Sequence, residues 1–136
     1  MKRYFFLLFI LFFFNFNIIS ETKTIINNSN EYGGKTEEII YDENDENYTK
    51  YSIDKKITYF DSNNIQRKLD LIYTQKYTEE KNVLRAEFYY DKKGIKLRME
   101  LFYTDDNIRF DRYVTRYNKK GEVIDQAWYK KKIRVQ

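Results

Sequence analysis

Apolar and polar residues alternate along most of the chain beyond residue 50. In the clearest run, residues 95–103, apolar or aromatic side chains occupy the odd positions, and Lys96, Arg98 and Glu100 lie between them. A period of two is typical of a β-strand with one buried face. The apolar members of the runs are Tyr51, Ile53, Ile57 and Tyr59; Leu69, Leu71 and Tyr73; Leu84, Ala86, Phe88 and Tyr90; and Ile95, Leu97, Met99, Leu101 and Tyr103.

Turn-forming residues separate these runs. Two of the turns begin with Asp91 or Asn118 and place Gly94 or Gly121 at the fourth position, which suits a type I turn followed by a left-handed residue. Because turns recur about every 12–16 residues, each connection is expected to be a hairpin. The turn segments are 61–64, 78–82, 91–94, 104–107 and 118–121. The pattern predicts an all-β fold, an antiparallel meander of about seven or eight strands that forms an open twisted sheet or a partial barrel.

Two local details stay open at this level. Around the turn at 91–94, one register lets Phe88 and Leu97 share a face, whereas a three-residue loop with a bulge places Tyr89 beside Leu97. Residues 66–82 have the best helical spacing in the chain, but their Tyr and Thr content favours a strand.

The first twenty residues have the layout of a secretory signal peptide. Lys2 and Arg3 precede an unbroken apolar or aromatic run over 4–14, which is short for a membrane span of about 20 residues. We therefore expect a signal helix over 1–20, a flexible leader over 21–36 and an antiparallel β domain over 37–136. The predicted location is outside the cytoplasm, either periplasmic, cell-surface or secreted. An N-terminal anchor that is not cleaved is the alternative.

Composition narrows the chemistry. The chain has no His and no Cys, which excludes Ser-His-Asp and Cys-His catalysis, disulfides and imidazole-ligated zinc. Glu87 and Glu100 are candidates for a carboxylate pair across a hairpin, but cross-strand ion pairs are the ordinary explanation for charges on a sheet. The acidic run 42–47 lacks the Gly and Glu of an EF-hand and is expected to be a solvated turn. We predict that the protein is not an enzyme and that it has no catalytic residues, no metal site and no cofactor.

Charge is distributed unevenly. Residues 21–66 hold 5 basic and 10 acidic residues, while residues 67–136 hold 18 basic and 11 acidic residues. The basic segment 130–134 favours a membrane surface or an envelope polymer over nucleic acid once the chain is exported. Aromatic residues beside basic ones suggest a binding surface, with burial in a sandwich core as the alternative. The candidate residues are Tyr89, Phe102, Tyr113, Trp128 and Lys131.

An aromatic residue precedes each main turn, and a tyrosine closes the strand that follows. The matching residues are Tyr90, Gly94 and Tyr103; Tyr117, Gly121 and Tyr129; and, with Asn64 in place of glycine, Phe60, Asn64 and Tyr73. Over residues 59–130 this pattern resembles the MORN-variant repeat proteins. The resemblance implies extended antiparallel hairpins and an interaction role, and it implies no reaction.

These observations together predict an exported, non-enzymatic binding or scaffold module of the cell envelope. Its partner is expected to be a protein or an envelope polymer, and its oligomeric state is open. The alternative is a small-ligand carrier whose β-barrel encloses an apolar cavity.

Overall fold

The computed structural model describes residues 21–104 and 109–135. They form one nine-stranded sheet and two short helices. The predicted signal peptide lies outside the described residues, as does most of the predicted turn at 104–107. The strands are β1 (Lys23–Asn27), β2 (Gly33–Ile40), β3 (Ile53–Asp61), β4 (Gln66–Tyr73), β5 (Val83–Tyr90), β6 (Lys96–Tyr103), β7 (Arg112–Tyr117), β8 (Val123–Lys130) and β9 (Ile133–Val135), and the helices are α1 (Glu46–Thr49) and α2 (Gln75–Lys81).

The sheet is an antiparallel meander, as the sequence predicts. Its strands lie in the order of the chain from β1 to β9, and each is paired antiparallel with the next. The sheet is not closed, so of the two predicted architectures it is the open one. The main packing contacts in the described part of the chain join neighbouring strands, or a short helix to its adjacent strand. The described residues therefore form a single layer of sheet, and these strands do not close around a cavity.

The segment over 21–36 differs from the predicted flexible leader. It contains β1 and the start of β2, with Ile25 opposite Glu38 and Ile26 opposite Glu37. A bulge follows Gly33, where a side chain at Gly34 would collide with the carbonyl oxygen of Asp61. Glycine thus lets β2 approach β3 closely enough to continue the sheet. The polar composition of this segment did not indicate a strand, because β1 is stabilised by pairing with β2 and not by burial of apolar side chains.

Residues 66–82 divide into a strand and a helix. Strand β4 ends at Tyr73, and the side chain of Thr74 then accepts a hydrogen bond from the backbone N–H of Tyr77 at the start of α2. The helix ends at Asn82, which has a left-handed φ of 59°. These are ordinary N-terminal and C-terminal caps. The strand interpretation is therefore right for the first half of this segment and wrong for the second.

Three hairpin turns share one hydrogen-bonding pattern. The residues Asp61, Asp91 and Asn118 each accept, through the side chain, the backbone N–H groups two and four positions later. These bonds hold the pKa of Asp91 below its ordinary value. The fourth residue of each turn has positive φ: Gly94 and Gly121 as predicted, and also Asn64.

The register of the middle hairpin is also settled. Phe88 lies opposite Met99 and Tyr89 opposite Arg98, with a bulge near the turn. Tyr90 lies opposite Lys96, so Leu97 is the extra residue of the bulge. The bulge was expected in the second alternative, but Leu97 is paired with neither Phe88 nor Tyr89.

Few apolar side chains are fully buried. Among the described residues they are Val83, Ala86, Val114 and Ala127. A single layer provides no space between two sheets for a larger core. Its stability must come mainly from the backbone ladder and from side-chain pairs across neighbouring strands.

Candidate functional site

The two faces of the sheet differ sharply between β4 and β8. Residues directly opposite each other on paired strands share a face, and successive residues alternate. We call one the apolar face; it consists of Leu69, Leu71, Ala86, Phe88, Met99, Leu101, Tyr113, Thr115, Gln126 and Trp128. We call the other the charged face; it consists of Lys68, Asp70, Ile72, Arg85, Glu87, Tyr89, Arg98, Glu100, Phe102, Arg112, Val114, Arg116, Asp125, Ala127 and Tyr129.

The rows of the apolar face named above carry no ionisable acid or base other than the Tyr113 phenol, and Lys130, two residues beyond Trp128 on β8, lies at the edge of this face. At one end it holds an aromatic cluster in which the ring of Trp128 lies 4.0 Å from that of Phe110 and 4.3 Å from that of Tyr113. An open cleft of about 430 Å³ adjoins Trp128 and Phe110. Trp128 keeps 37% of its surface exposed. These aromatic residues are therefore not in a sandwich core, because no second sheet of the described chain covers this face.

The middle row of the charged face is buried although it is rich in carboxylates. Asp70 lies opposite Glu87, Glu87 opposite Glu100, and Glu100 opposite Val114. The relative exposure of the three acids is 7%, 7% and 5%. Long side chains from the adjacent rows of the same face cover this row. The sequence correctly predicts that Glu87 and Glu100 lie across a hairpin.

Each of these two glutamates is bound by cations from neighbouring positions. Glu87 accepts a hydrogen bond from the Tyr89 hydroxyl and one of 3.0 Å from Arg85 Nε. Burial alone would raise the pKa of Glu87, but the bond from Tyr89 and the nearby positive charges outweigh burial, so the pKa lies below its ordinary value. A carboxyl group with a lowered pKa is a poor proton donor near neutral pH.

Glu100 is held in the same manner. Its two carboxylate oxygens lie 2.8 Å from Arg98 Nε and 3.2 Å from Arg112 Nη1. The contacts of Glu87 and Glu100 are therefore those of a structural network of ion pairs.

Asp70 is the exception in this row. Burial raises its pKa above the ordinary value, and the nearby Lys68, whose Nζ lies 3.1 Å from Oδ1, only partly opposes that effect. The hydroxyl of Tyr59 donates a bond of 3.3 Å to Asp70, and burial together with the Asp70 charge raises the pKa of Tyr59 to about 12.

Cations of the charged face also stack on aromatic rings. The guanidinium carbon of Arg85 lies 4.0 Å from the ring centre of Phe102, that of Arg98 lies 4.1 Å from Tyr89, and that of Arg112 lies 4.9 Å from Tyr129. Each arginine is thus fixed from two sides, by a carboxylate of the middle row and by an aromatic ring.

A basic cleft of about 350 Å³ opens where the charged face meets the β8–β9 turn. We use the name basic cleft for the space lined by Leu84, Arg85, Phe102, Tyr103, Asp111, Arg112, Lys131 and Lys132. Its volume lies within the range of small-ligand sites.

The five predicted surface residues are divided between different places. Tyr89 and Phe102 lie on the charged face, Tyr113 and Trp128 on the apolar face, and Lys131 in the β8–β9 turn. The structure brings Phe102 and Lys131 together in the basic cleft, and it places the rings of Tyr113 and Trp128 in contact.

Of the other cations of the basic cleft, Lys132 belongs to the predicted basic segment 130–134, whereas sequence reasoning missed Arg85 and Arg112. The alternation within each strand could have shown which face Arg85 and Phe102 occupy. It could not have shown that these two residues lie opposite each other, because bulges set the register between their strands.

The acidic side chains of the described residues also provide no candidate metal site. Between 21 and 104 and between 109 and 135, no group of three His, Cys, Asp or Glu side chains is arranged to hold a metal ion.

No helix among the residues that the structure describes has the length and apolar character needed to cross a membrane.

No protein-family model, curated protein or solved structure matches this chain. The resemblance to MORN-variant repeats therefore stays a prediction.

Proposed function

We propose that this chain is an exported, non-enzymatic binding module of the cell envelope, and that its apolar face docks against another protein chain. The observation that carries the proposal is the charge-free centre of the apolar face on β4–β8, which nothing in the described chain covers. Extended apolar patches on soluble proteins typically mark interaction sites.

The composition of the face supports a protein partner. Its central positions include Phe88, Met99, Tyr113 and Trp128, and no Lys, Asp or Glu lies among these central rows. Interface cores are enriched in the first group of residue types and depleted in the second.

The size of the face suits the centre of a contact. Its rows span three residues along each of five neighbouring strands, which at about 3.3 Å per residue and about 4.8 Å between strands is on the order of 240 Å² before side-chain relief is added. A standard interface buries about 800 Å² of accessible surface on each partner. The face can thus supply the apolar core of a protein–protein contact, and the surrounding surface would supply its rim.

The lack of His and Cys and the ion-paired state of Glu87 and Glu100 support a non-enzymatic role. Export rests on the predicted signal peptide, and fractionation with N-terminal sequencing of the mature chain tests it.

Site-specific photo-crosslinking tests the docking. A photoreactive phenylalanine replaces Phe88 on the apolar face or, as the matched control, Phe102 on the charged face, in cells that export the full chain. Both residues are half-buried phenylalanines on adjacent strands. We expect a protein adduct at Phe88 that disappears in Leu101→Lys and is absent at Phe102.

A folded, exported chain that gives no adduct at position 88, or equal adducts at both positions, would overturn the proposal. Circular dichroism and the unfolding midpoint of Leu101→Lys show whether that variant keeps its fold. The mass of the adduct distinguishes a second copy from a different protein.

A further inference from the structure

We propose that the basic cleft binds a phosphate group carried by a small ester or by a polymer. The site lies at the end of the charged face, and none of its arginines and lysines belongs to the apolar face proposed for docking. Four cations line it, Arg85, Arg112, Lys131 and Lys132, against the single carboxylate of Asp111. The lining therefore carries excess positive charge in a concave space.

The two arginines are held in place before any ligand arrives. Arg85 and Arg112 lie on either side of Phe102, because both are its direct cross-strand partners. Arg85 uses Nε for Glu87, and Arg112 uses Nη1 for Glu100. The other guanidinium nitrogens of these two residues make no hydrogen bond to a described residue. A buried carboxylate thus orients each guanidinium and leaves donors for an oxyanion.

The two lysines lack such partners. The ammonium groups of Lys131 and Lys132 form no salt bridge within 21–104 or 109–135, and both residues are exposed. The backbone N–H of Lys131 donates to Asp111 Oδ2 at 2.8 Å, which fixes the turn and occupies that carboxylate. Asp111 is therefore engaged with the turn, and the lysine charges remain available.

The backbone of this turn is an independent indication. Lys131 and Lys132 join β8 to β9 as a two-residue loop with φ values of 47° and 71°. Two positive φ values define the type I′ turn, for which Asn-Gly is strongly preferred. Lysine at both positions is unfavourable for the backbone. In the turns at 91–94 and 118–121 the positive φ falls on Gly94 and Gly121, and the lysines avoid it.

Backbone strain often occurs at functional sites, where it holds a side chain in the position that a ligand needs. The strained turn at Lys131 and Lys132 places two positive charges at the cleft in this way. Phosphate suits the donors better than a single carboxylate, since it offers more acceptor oxygens to two guanidinium and two ammonium groups. Leu84, Phe102 and Tyr103 give the group attached to the phosphate an apolar wall.

The test replaces Lys131-Lys132 with the preferred turn sequence. Lys131→Asn/Lys132→Gly removes two charges and relieves the backbone. Lys92→Gln/Lys93→Gln removes two charges from an exposed turn at the opposite end of the sheet and is the matched control. The probes are glycerol phosphate and polyphosphate in solution, and phosphatidylcholine vesicles with and without phosphatidylglycerol. Binding is followed by calorimetry and by NMR shifts of the Phe102 ring and the arginine Nε–H groups.

We expect the first variant to weaken binding at least about tenfold, the control to stay within about twofold of wild type, and the unfolding midpoint of the first variant to stay equal or rise. Binding to the soluble probes with this pattern identifies a free phosphate ester as the source, and binding only to the phosphatidylglycerol vesicles identifies a lipid headgroup. The proposal is refuted if no probe binds the wild type, or if both variants weaken binding equally, which would indicate diffuse charge attraction.

Discussion

Glu87 and Asp70 are neighbours in one buried row, yet their carboxyl groups are expected to affect stability in opposite directions. They lie directly opposite each other on β4 and β5. The pKa of Glu87 is lowered, because hydrogen bonds and cations outweigh its burial. The pKa of Asp70 is raised, because burial outweighs Lys68. The test compares two single variants, Glu87→Gln and Asp70→Asn.

For Glu87→Gln we expect a loss of about 2 kcal/mol at neutral pH. A hydrogen bond to a charged group is worth about 1.5–3 kcal/mol, and Glu87 accepts one from Tyr89 and one from Arg85. The Arg85 side chain is 41% exposed, so its contribution is reduced to that of a surface pair, up to about 1 kcal/mol. Glutamine keeps one acceptor oxygen, which limits the loss further. For a domain of this size the unfolding midpoint falls by about 8 °C.

The pH dependence follows from the direction of each pKa shift. The folded pKa of Glu87 lies below its ordinary 4.5, so its stabilisation is complete above that pH and is lost as the pH falls through the folded value. The difference between wild type and Glu87→Gln should therefore shrink in acid.

Asp70 has the opposite sign. Its folded pKa lies above its ordinary 3.8, so the protonated group favours folding below that pH, and this benefit is lost as the pH rises through the folded value. Asp70→Asn should then cost little or stabilise at neutral pH, and that advantage should disappear in acid.

Urea unfolding followed by circular dichroism, at a series of pH values, measures both differences. The double variant is the control for coupling, because the two carboxyls repel each other. The reasoning is refuted if both single variants lose the same free energy at neutral pH, or if their pH profiles run parallel.

Four further substitutions test the fold by thermal unfolding. Gly34→Ala should destabilise the fold by about 3 kcal/mol or more, because the added Cβ would collide with the Asp61 carbonyl. Gly121→Ala should cost only about 1 kcal/mol, because its Cβ has open space and only the φ of 83° is unfavourable. Equal losses for the two variants would contradict the predicted collision at Gly34. Val114→Ala should cost about 1.5–2 kcal/mol, since this 2%-exposed side chain is buried on the charged face, and a neutral result would show that the row is not packed. Asn64→Gly at φ 61° should raise stability by up to about 1 kcal/mol, and a loss would show that the asparagine side chain matters.

The sequence by itself determined the fold class and the contents of each strand face. Alternation with period two predicts strands, and it puts Leu69 and Leu71 on one side of β4 and Lys68 and Asp70 on the other. Turn residues such as Asp91 and Gly94 predict hairpins. Both signals are local, so they can be read from a few consecutive residues.

Alignment across strands was decided only in the tertiary structure. Bulges shift the register between β5 and β6 and again between β7 and β8. They determine that Glu87 lies opposite Glu100 and that Arg85 and Arg112 lie beside Phe102. A shift of one residue would exchange the faces, and the alternation within one strand does not determine which residue of the next strand lies opposite.

The same is true of the strand β1 and of the uncovered apolar face. The residues Lys23–Asn27 are a strand because β2 supplies hydrogen-bond partners, although their composition suggested a leader. An apolar face is expected to be covered by another layer of structure or by a partner, and from the sequence alone a second sheet in a sandwich was one of the alternatives. The structure shows a single open layer instead. Long-range packing decides these features, because burial depends on which segments meet in space and not on the period of any one of them.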